Sequence, residues 1–354
     1  MIAYLLPYFC IAFTAFFEMF ASRKLKLVLA ILMLYSLVLM LLFLGLRDGI
    51  GPDWSNYVSI YQYVGEQESI WRGLQRTEFG YALLNAISYS VGGGVYLVNF
   101  LCALLIFLGL LPLLNRYPER RWFILSQVFP YLIVIVSMGY SRQGVAAAFL
   151  IGALVNFRSL RVFYLFFLVG VLFHLSILPF ALLPLGRWLS LSRRIAVLVL
   201  GGCALAFGVI AVKFIGELAM FGRLAFYLNS DLDSAGVYFR IVNIVGAAGL
   251  YVAVYSRIEG WLRDALLGIY LFFLFLLPFV SISTTLVDRM VPYLFAIYLV
   301  MTVEVLRILS VKRRVVFGVL VLVYMLVWFG VWLAFSSHVQ GAWVPYKNII
   351  AESF

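Results

Sequence analysis

Residues 27–46 read LVLAILMLYSLVLMLLFLGL, twenty residues without a charge. At 1.5 Å rise per residue such a helix is about 30 Å long, the thickness of a bilayer's hydrocarbon core. Arg23, Lys24 and Lys26 precede it, and Arg47 and Asp48 follow it. Working outward in both directions, the same pattern recurs. Apolar runs of spanning length fall at about 1–21, 27–46, 94–114, 122–139, 141–157, 161–174, 175–188, 195–214, 240–256, 265–283, 290–306 and 315–335. Of the chain's 354 residues, 65% are hydrophobic and 12% are charged. A soluble domain carries about twice that share of charge, so the bilayer is the solvent and no separate soluble domain fits.

The charges then fix a topology. Basic residues follow every odd-numbered run: Arg23, Lys24 and Lys26; Arg116, Arg120 and Arg121; Arg158 and Arg161; Arg187, Arg193 and Arg194; Arg257 and Arg263; Arg307, Lys312, Arg313 and Arg314. That alternation is the positive-inside rule, and it predicts that both termini face outward. It also accounts for the net charge of +11 without nucleic acid. Residues 161–188 are too few for two full spans. A thin or re-entrant helical pair bent near His174 and Pro179 suits them, lining a cavity where broken helix is tolerated; eleven spans are the alternative to twelve. The N-terminus lacks a basic leader and reads as a retained first span. Cys10, Cys102 and Cys203 sit in apolar runs as packing residues, and no metal spacing, Walker loop or dinucleotide fingerprint is present. The fold class is an all-α polytopic membrane protein of about 11–12 transmembrane helices.

Three segments are assigned outward: the long loop 47–93, a second loop 215–239 and the tail 336–354. The first divides into two short amphipathic helices, with Trp54, Val58 and Tyr61 on one face and then Phe79, Leu83 and Ile87. They are expected to lie in the interface plane. Gly144, Ala148 and Gly152 form a small-residue stripe suited to helix packing.

Three arginines stand where the charge rule does not want them: Arg47, Arg142 and Arg289. A guanidinium recognises phosphate oxygens in pairs and stays charged, so three converging on one outward cavity would clamp a diphosphate. The local alternatives are pairing of Arg47 with Asp48 and of Arg289 with Asp288 or a carbonyl. Asp53 is a candidate catalytic carboxylate or a helix N-cap. Glu78 is a second carboxylate, or serves the helix dipole. His174, one of two histidines, is either a hydrogen-bonded core residue or a base facing a wet cavity. His338, in the tail, is the weaker candidate. As base, His174 is favoured over Asp53 because arginines nearby would keep the imidazole neutral. Gln143, Tyr57, Arg223 and Tyr293 complete the candidate substrate-binding set.

Six short motifs occur in order along the chain: R-D-x-x-G-x-D-W-x-x-Y from Arg47 to Tyr57, E-x-G-Y from Glu78, R-Q-x-x-A from Arg142, F-H-x-S from Phe173, D-R-x-x-x-Y from Asp288, and W-x-P-Y from Trp343. Together they resemble the EpsG family of bacterial exopolysaccharide and O-antigen polymerases, related to Wzy. The resemblance implies a GT-C-like fold in the bacterial cytoplasmic membrane, without cofactor or metal. It also implies polymerisation of undecaprenyl-diphosphate-linked oligosaccharides at the outer face. Membrane lipid, a flippase and a chain-length regulator are the partners it suggests. The rival classes are a flippase, which predicts inverted repeats and midplane polar sites, and a glycan ligase or acyltransferase, separable only by its product.

Overall fold

A computed structural model describes residues 1–67, 69–187, 234 and 236–352. Six helices are long and apolar enough to cross a membrane: Lys24–Gly45, Gly94–Arg116, Gly236–Arg257, Gly260–Ser281, Val291–Ile308 and Val311–Phe335. Five shorter apolar helices join them: Ile2–Glu18, Arg121–Ser137, Ser141–Val155, Leu160–Phe173 and Leu175–Pro184. The chain is therefore a multi-pass, all-α membrane protein. The run expected at 195–214, the outward segment 215–233 and Arg223 lie outside the described residues.

The middle of the bundle is the antiparallel pair α1 (Arg121–Val128, continued as a π-helix over Phe129–Ser137) and α2 (Ser141–Val155), flanked by α3 (Val291–Ile308). Nearly every side chain in these elements is buried, whereas Lys24–Gly45 is buried on a narrow stripe and turns Leu27, Ile31, Leu34 and Tyr35 outward. A helix apolar on all sides suits lipid on one face and protein on the other. The small-residue stripe packs as read. A Cβ on Gly152 would lie 2.6 Å from the Gly109 carbonyl, and one on Gly144 would lie 2.5 Å from Ser137 Oγ. Only glycine lets these backbones approach so closely.

The helix Leu160–Phe173 stops at His174, which is extended at φ −158°, ψ 117°. A 3₁₀ stretch, Leu175–Arg187, then doubles back: the Tyr164 hydroxyl donates to the Ala181 carbonyl (3.2 Å). The bent pair expected here is thus present, and it brings His174 to the turn.

The two ends of the bundle differ. At one, Glu18 accepts the backbone N–H groups of Trp122 and Phe123 (3.1 and 3.2 Å), Lys26 pairs with Glu119, and Arg116 with Glu259 (both 3.0 Å). Glu304 there takes the Tyr117 hydroxyl (2.5 Å) and Arg307 (2.8 Å). At the other end the loop 46–53 meets the tail: Gly51 N–H donates to Ala342 O (2.7 Å), Asp48 N–H to Lys347 O (3.0 Å) and Ile349 N–H to Leu46 O (3.0 Å). Tyr4 Oη donates to Trp343 O (2.6 Å), so both termini gather at this second end with the long loop.

The loop forms the two helices expected of it. Helices Trp54–Gly65 and Phe79–Ser90 are present, but Leu83 and Ile87 are exposed while Tyr81, Asn85 and Ser88 are buried; in the first helix the buried face is Tyr57, Ile60 and Val64. Apolar side chains on the outer face of such a helix suit contact with lipid.

Candidate active site

The functional residues gather at the end that holds the tail and loop 46–53. Two broken helices place them. The chain breaks at Tyr140 between α1 and α2, which puts Arg142 in the first turn of α2. The break at His174 puts that ring at the end of its own helix. Asp53 sits just after Gly51, whose φ of 104° and close fit against the Met138 carbonyl (2.1 Å from a would-be Cβ) admit no side chain.

Arg142 Nη1 donates to Glu78 Oε2 (2.7 Å) and Thr77 Oγ1 (3.1 Å), and its guanidinium lies over the rings of Tyr57 and Tyr81 (5.9 and 5.8 Å). Its Nη2 makes no hydrogen bond among the described residues, which leaves a donor for a ligand oxygen. Thr77 Oγ1 also donates to Glu78 Oε2 (3.2 Å). The Arg289 guanidinium stacks on Tyr140 (5.1 Å), and its carbonyl accepts Gln143 Nε2 (2.5 Å). Planar cations held on aromatic faces keep their forks in place for an anion.

Asp53 lies within electrostatic reach of both arginines. Burial pushes its carboxyl above the usual carboxylate range, and the opposing pull of Arg289 and then Arg142 offsets this only in part. For Glu78, burial also pushes upward, but Arg142 and then His174 outweigh it and hold the carboxyl below its ordinary value. His174 Nδ1 faces Ser176 Oγ (2.5 Å), the Ser176 backbone N–H (3.3 Å) and Tyr293 Oη (3.3 Å); Ser176 Oγ and Tyr293 Oη are 2.8 Å apart.

The structure therefore brings together Arg142, Arg289, Asp53, Glu78, His174, Gln143, Tyr57 and Tyr293. It does not bring Arg47 to the same surface. Arg47 is 1% exposed and donates to Leu44 O (2.7 Å), Asn99 Oδ1 (3.1 Å) and Ser141 Oγ (2.8 Å). It is a buried strut beneath Arg142, not a clamp, and Asp48 is taken by the Tyr96 hydroxyl instead (2.8 Å). Asp53 precedes its helix but makes no capping bond, so the cap reading falls. Asp288 pairs with Arg240, not with Arg289, and also receives Ser234 Oγ (2.8 Å). Thr77 and Tyr140 escaped sequence reasoning, since nothing in their local context departs from a membrane helix or loop; Arg240 had a signal, a cation at the end of its run opposite the basic cluster Arg257 and Arg263. Ser176 had a signal, the serine two residues after the histidine. Among the described residues no three His, Cys, Asp or Glu side chains group to hold a metal ion.

Bundle and site together define a multi-pass membrane protein with cationic and carboxylate chemistry at one end. The EpsG family profile matches residues 30–348, nearly the whole chain, and the chain belongs to that family. This membership supports a polymerase-type function in polysaccharide biosynthesis. Searches of curated proteins and of solved structures found no match.

Proposed function

We propose that this protein is a membrane glycosyltransferase that joins undecaprenyl-diphosphate-linked oligosaccharide repeat units, at the outer face of the bacterial cytoplasmic membrane. The observation that carries this reading is the grouping of Arg142 and Arg289 around Asp53, at the end opposite the basic clusters. By the positive-inside rule that end faces outward, with both termini. Lipid-linked diphosphate is a doubly charged headgroup presented at the membrane surface, and the two guanidinium groups match its charge and its oxygens. Gln143 fixes the Arg289 backbone, and Tyr57 and Tyr140 hold the two forks.

The chemistry asked of the site is limited. The acceptor hydroxyl attacks the anomeric carbon of the donor, the bond from that carbon to the phosphate oxygen breaks, and diphosphate departs. Developing charge on the leaving oxygen is met by donors already in place, which cost no reorganisation at the moment of reaction. A group beside the hydroxyl accepts its proton.

Purified protein given a lipid-diphosphate repeat unit is expected to form a ladder of oligomers. Arg142→Ala and Arg289→Ala should each lose at least about ten-fold in rate, because a charge-assisted hydrogen bond that tightens in the transition state contributes about 1.5–3 kcal/mol. Full ladders from both variants, inserted at wild-type levels, would refute the clamp. Translocation of the intact lipid-linked unit without any ladder would mark a flippase.

A further inference from the structure

Each residue in the first turn of α2 has a task. Ser141 Oγ receives Arg47 Nη2 (2.8 Å). Arg142 reaches Glu78 and Thr77. Gln143 Nε2 donates to the Arg289 carbonyl (2.5 Å). Gly144 closes on Ser137, with 2.5 Å between a would-be Cβ and the hydroxyl. The turn needs such ties, because the backbone breaks just before it: Tyr140 is at φ −142°, ψ 70°, outside the helical region. A helix start has no intrahelical partners for its first N–H groups, and it frays unless something holds it.

Arg47 holds this turn from below. Its Nη1 donates to Leu44 O (2.7 Å), and its Nη2 donates to Asn99 Oδ1 (3.1 Å) as well as to Ser141. One guanidinium thus joins helices Lys24–Gly45, Gly94–Arg116 and α2. Stability does not account for it. The side chain is 1% exposed, and no carboxylate pairs with it among the described residues. Its Nε and the Asn99 Nδ2 are buried with no hydrogen-bonding partner among the described residues. A buried cation with neutral partners and two unmet donors is less favourable than an apolar side chain of the same volume. What the guanidinium supplies instead is direction, since a planar fork makes several charge-assisted bonds at once, each fixed in angle.

We propose that Arg47 is a positioning residue for the diphosphate site: without touching the ligand, it holds Arg142 in place through Ser141. The proposal rests on the reading above in one respect, that the ligand of Arg142 is a lipid-linked diphosphate. Arg47 takes no part in the chemical step. It keeps the first turn of α2 ordered, so the freedom of Arg142 is lost on folding rather than on binding.

Arg47 and Ser141 should then affect ligand binding only where Arg142 is present, and a double-mutant cycle reads that coupling. The probe is farnesyl diphosphate, titrated into the detergent-purified protein. Ser141→Ala cuts the tie alone and leaves Arg47 on Leu44 and Asn99. It should weaken binding by about ten-fold, the worth of one hydrogen bond to a charged group. Arg47→Lys should lose as much or more, since a single ammonium cannot serve acceptors that lie in different directions. In an Arg142→Ala background the same changes should cost less than about two-fold. Losses of equal size in both backgrounds would mean that Arg47 merely holds the bundle together, and would overturn the proposal. Wild-type affinity in Ser141→Ala would overturn it too, and that variant decides the matter if Arg47→Lys does not fold. A wild type that binds no farnesyl diphosphate removes the diphosphate site and the positioning role with it. A wild type that binds it and forms a ladder, without coupling, keeps the glycosyltransferase reading and removes this inference alone.

Discussion

Arg142 and Arg289 show how much one residue type can reveal in sequence and where that stops. Each is a cation in an apolar setting at the end of a span opposite the basic clusters, and a cost of that kind marks a candidate for function. Arg47 satisfies the same rule, yet it is a strut: sequence records the cost of a buried charge but not which way the side chain turns. Arg142→Lys is predicted to restore little of the activity lost in Arg142→Ala. An ammonium can replace the bond to Glu78, but it cannot keep a second nitrogen free for substrate or lie flat on Tyr57 and Tyr81. Initial rates at matched expression check this.

The two carboxylates give opposite pH signatures. The Glu78 carboxyl is lower in the folded protein than in the unfolded chain. The stability of its pair with Arg142 is therefore present above the unfolded value, about 4.3, and is lost as pH falls toward the folded one. Asp53 moves upward, so activity should fail on the acid side at a higher pH than the roughly 3.9 of a solvent-exposed aspartate, while the fold is still intact. A rate profile and a melting profile across the same buffers separate the two limbs. An acid limb of rate at or below that of melting would show that Asp53 is not the group being titrated.

At the scale of the elements, run lengths and charge alternation located the helices, and the break at His174 was visible as too few residues for two spans. The amphipathic template placed the loop helices, but a pattern of apolar residues does not say whether they meet protein or lipid. Leu83 and Ile87 carry the period correctly but point away from the protein. The close-packed stripe permits a sharper test. Gly152→Ala places a methyl 2.6 Å from both the Gly109 carbonyl and the Phe166 ring, and such overpacking costs about 1–3 kcal/mol. Gly246→Ala in the helix Gly236–Val254 meets nothing within 4 Å and should be neutral or stabilise by about 0.4–1 kcal/mol. Thermal unfolding in one detergent ranks the pair. Equal midpoints would mean that helices 94–116 and 141–155 are not held at that distance.

At the scale of the molecule, the alternation of basic clusters predicts which end a reagent reaches. With Cys10, Cys102 and Cys203 replaced, a cysteine at Gln67 should react with an impermeant thiol reagent in whole cells. One at Glu119 should react only after permeabilisation. The reverse would turn the candidate site toward the cytoplasm and exclude a lipid-linked donor displayed on the outer face.

The seam between loop and tail has a consequence in time. Gly51, two residues before Asp53, is fastened by the carbonyl of Ala342, which is translated 291 residues later. At about 5–20 residues per second, a nascent chain spends roughly 15–60 s in the membrane with that corner unfastened. The corner that holds the loop before Asp53 closes only when residues 342–349 arrive. The loop that leads to Asp53 is therefore among the last parts of the fold to be fastened.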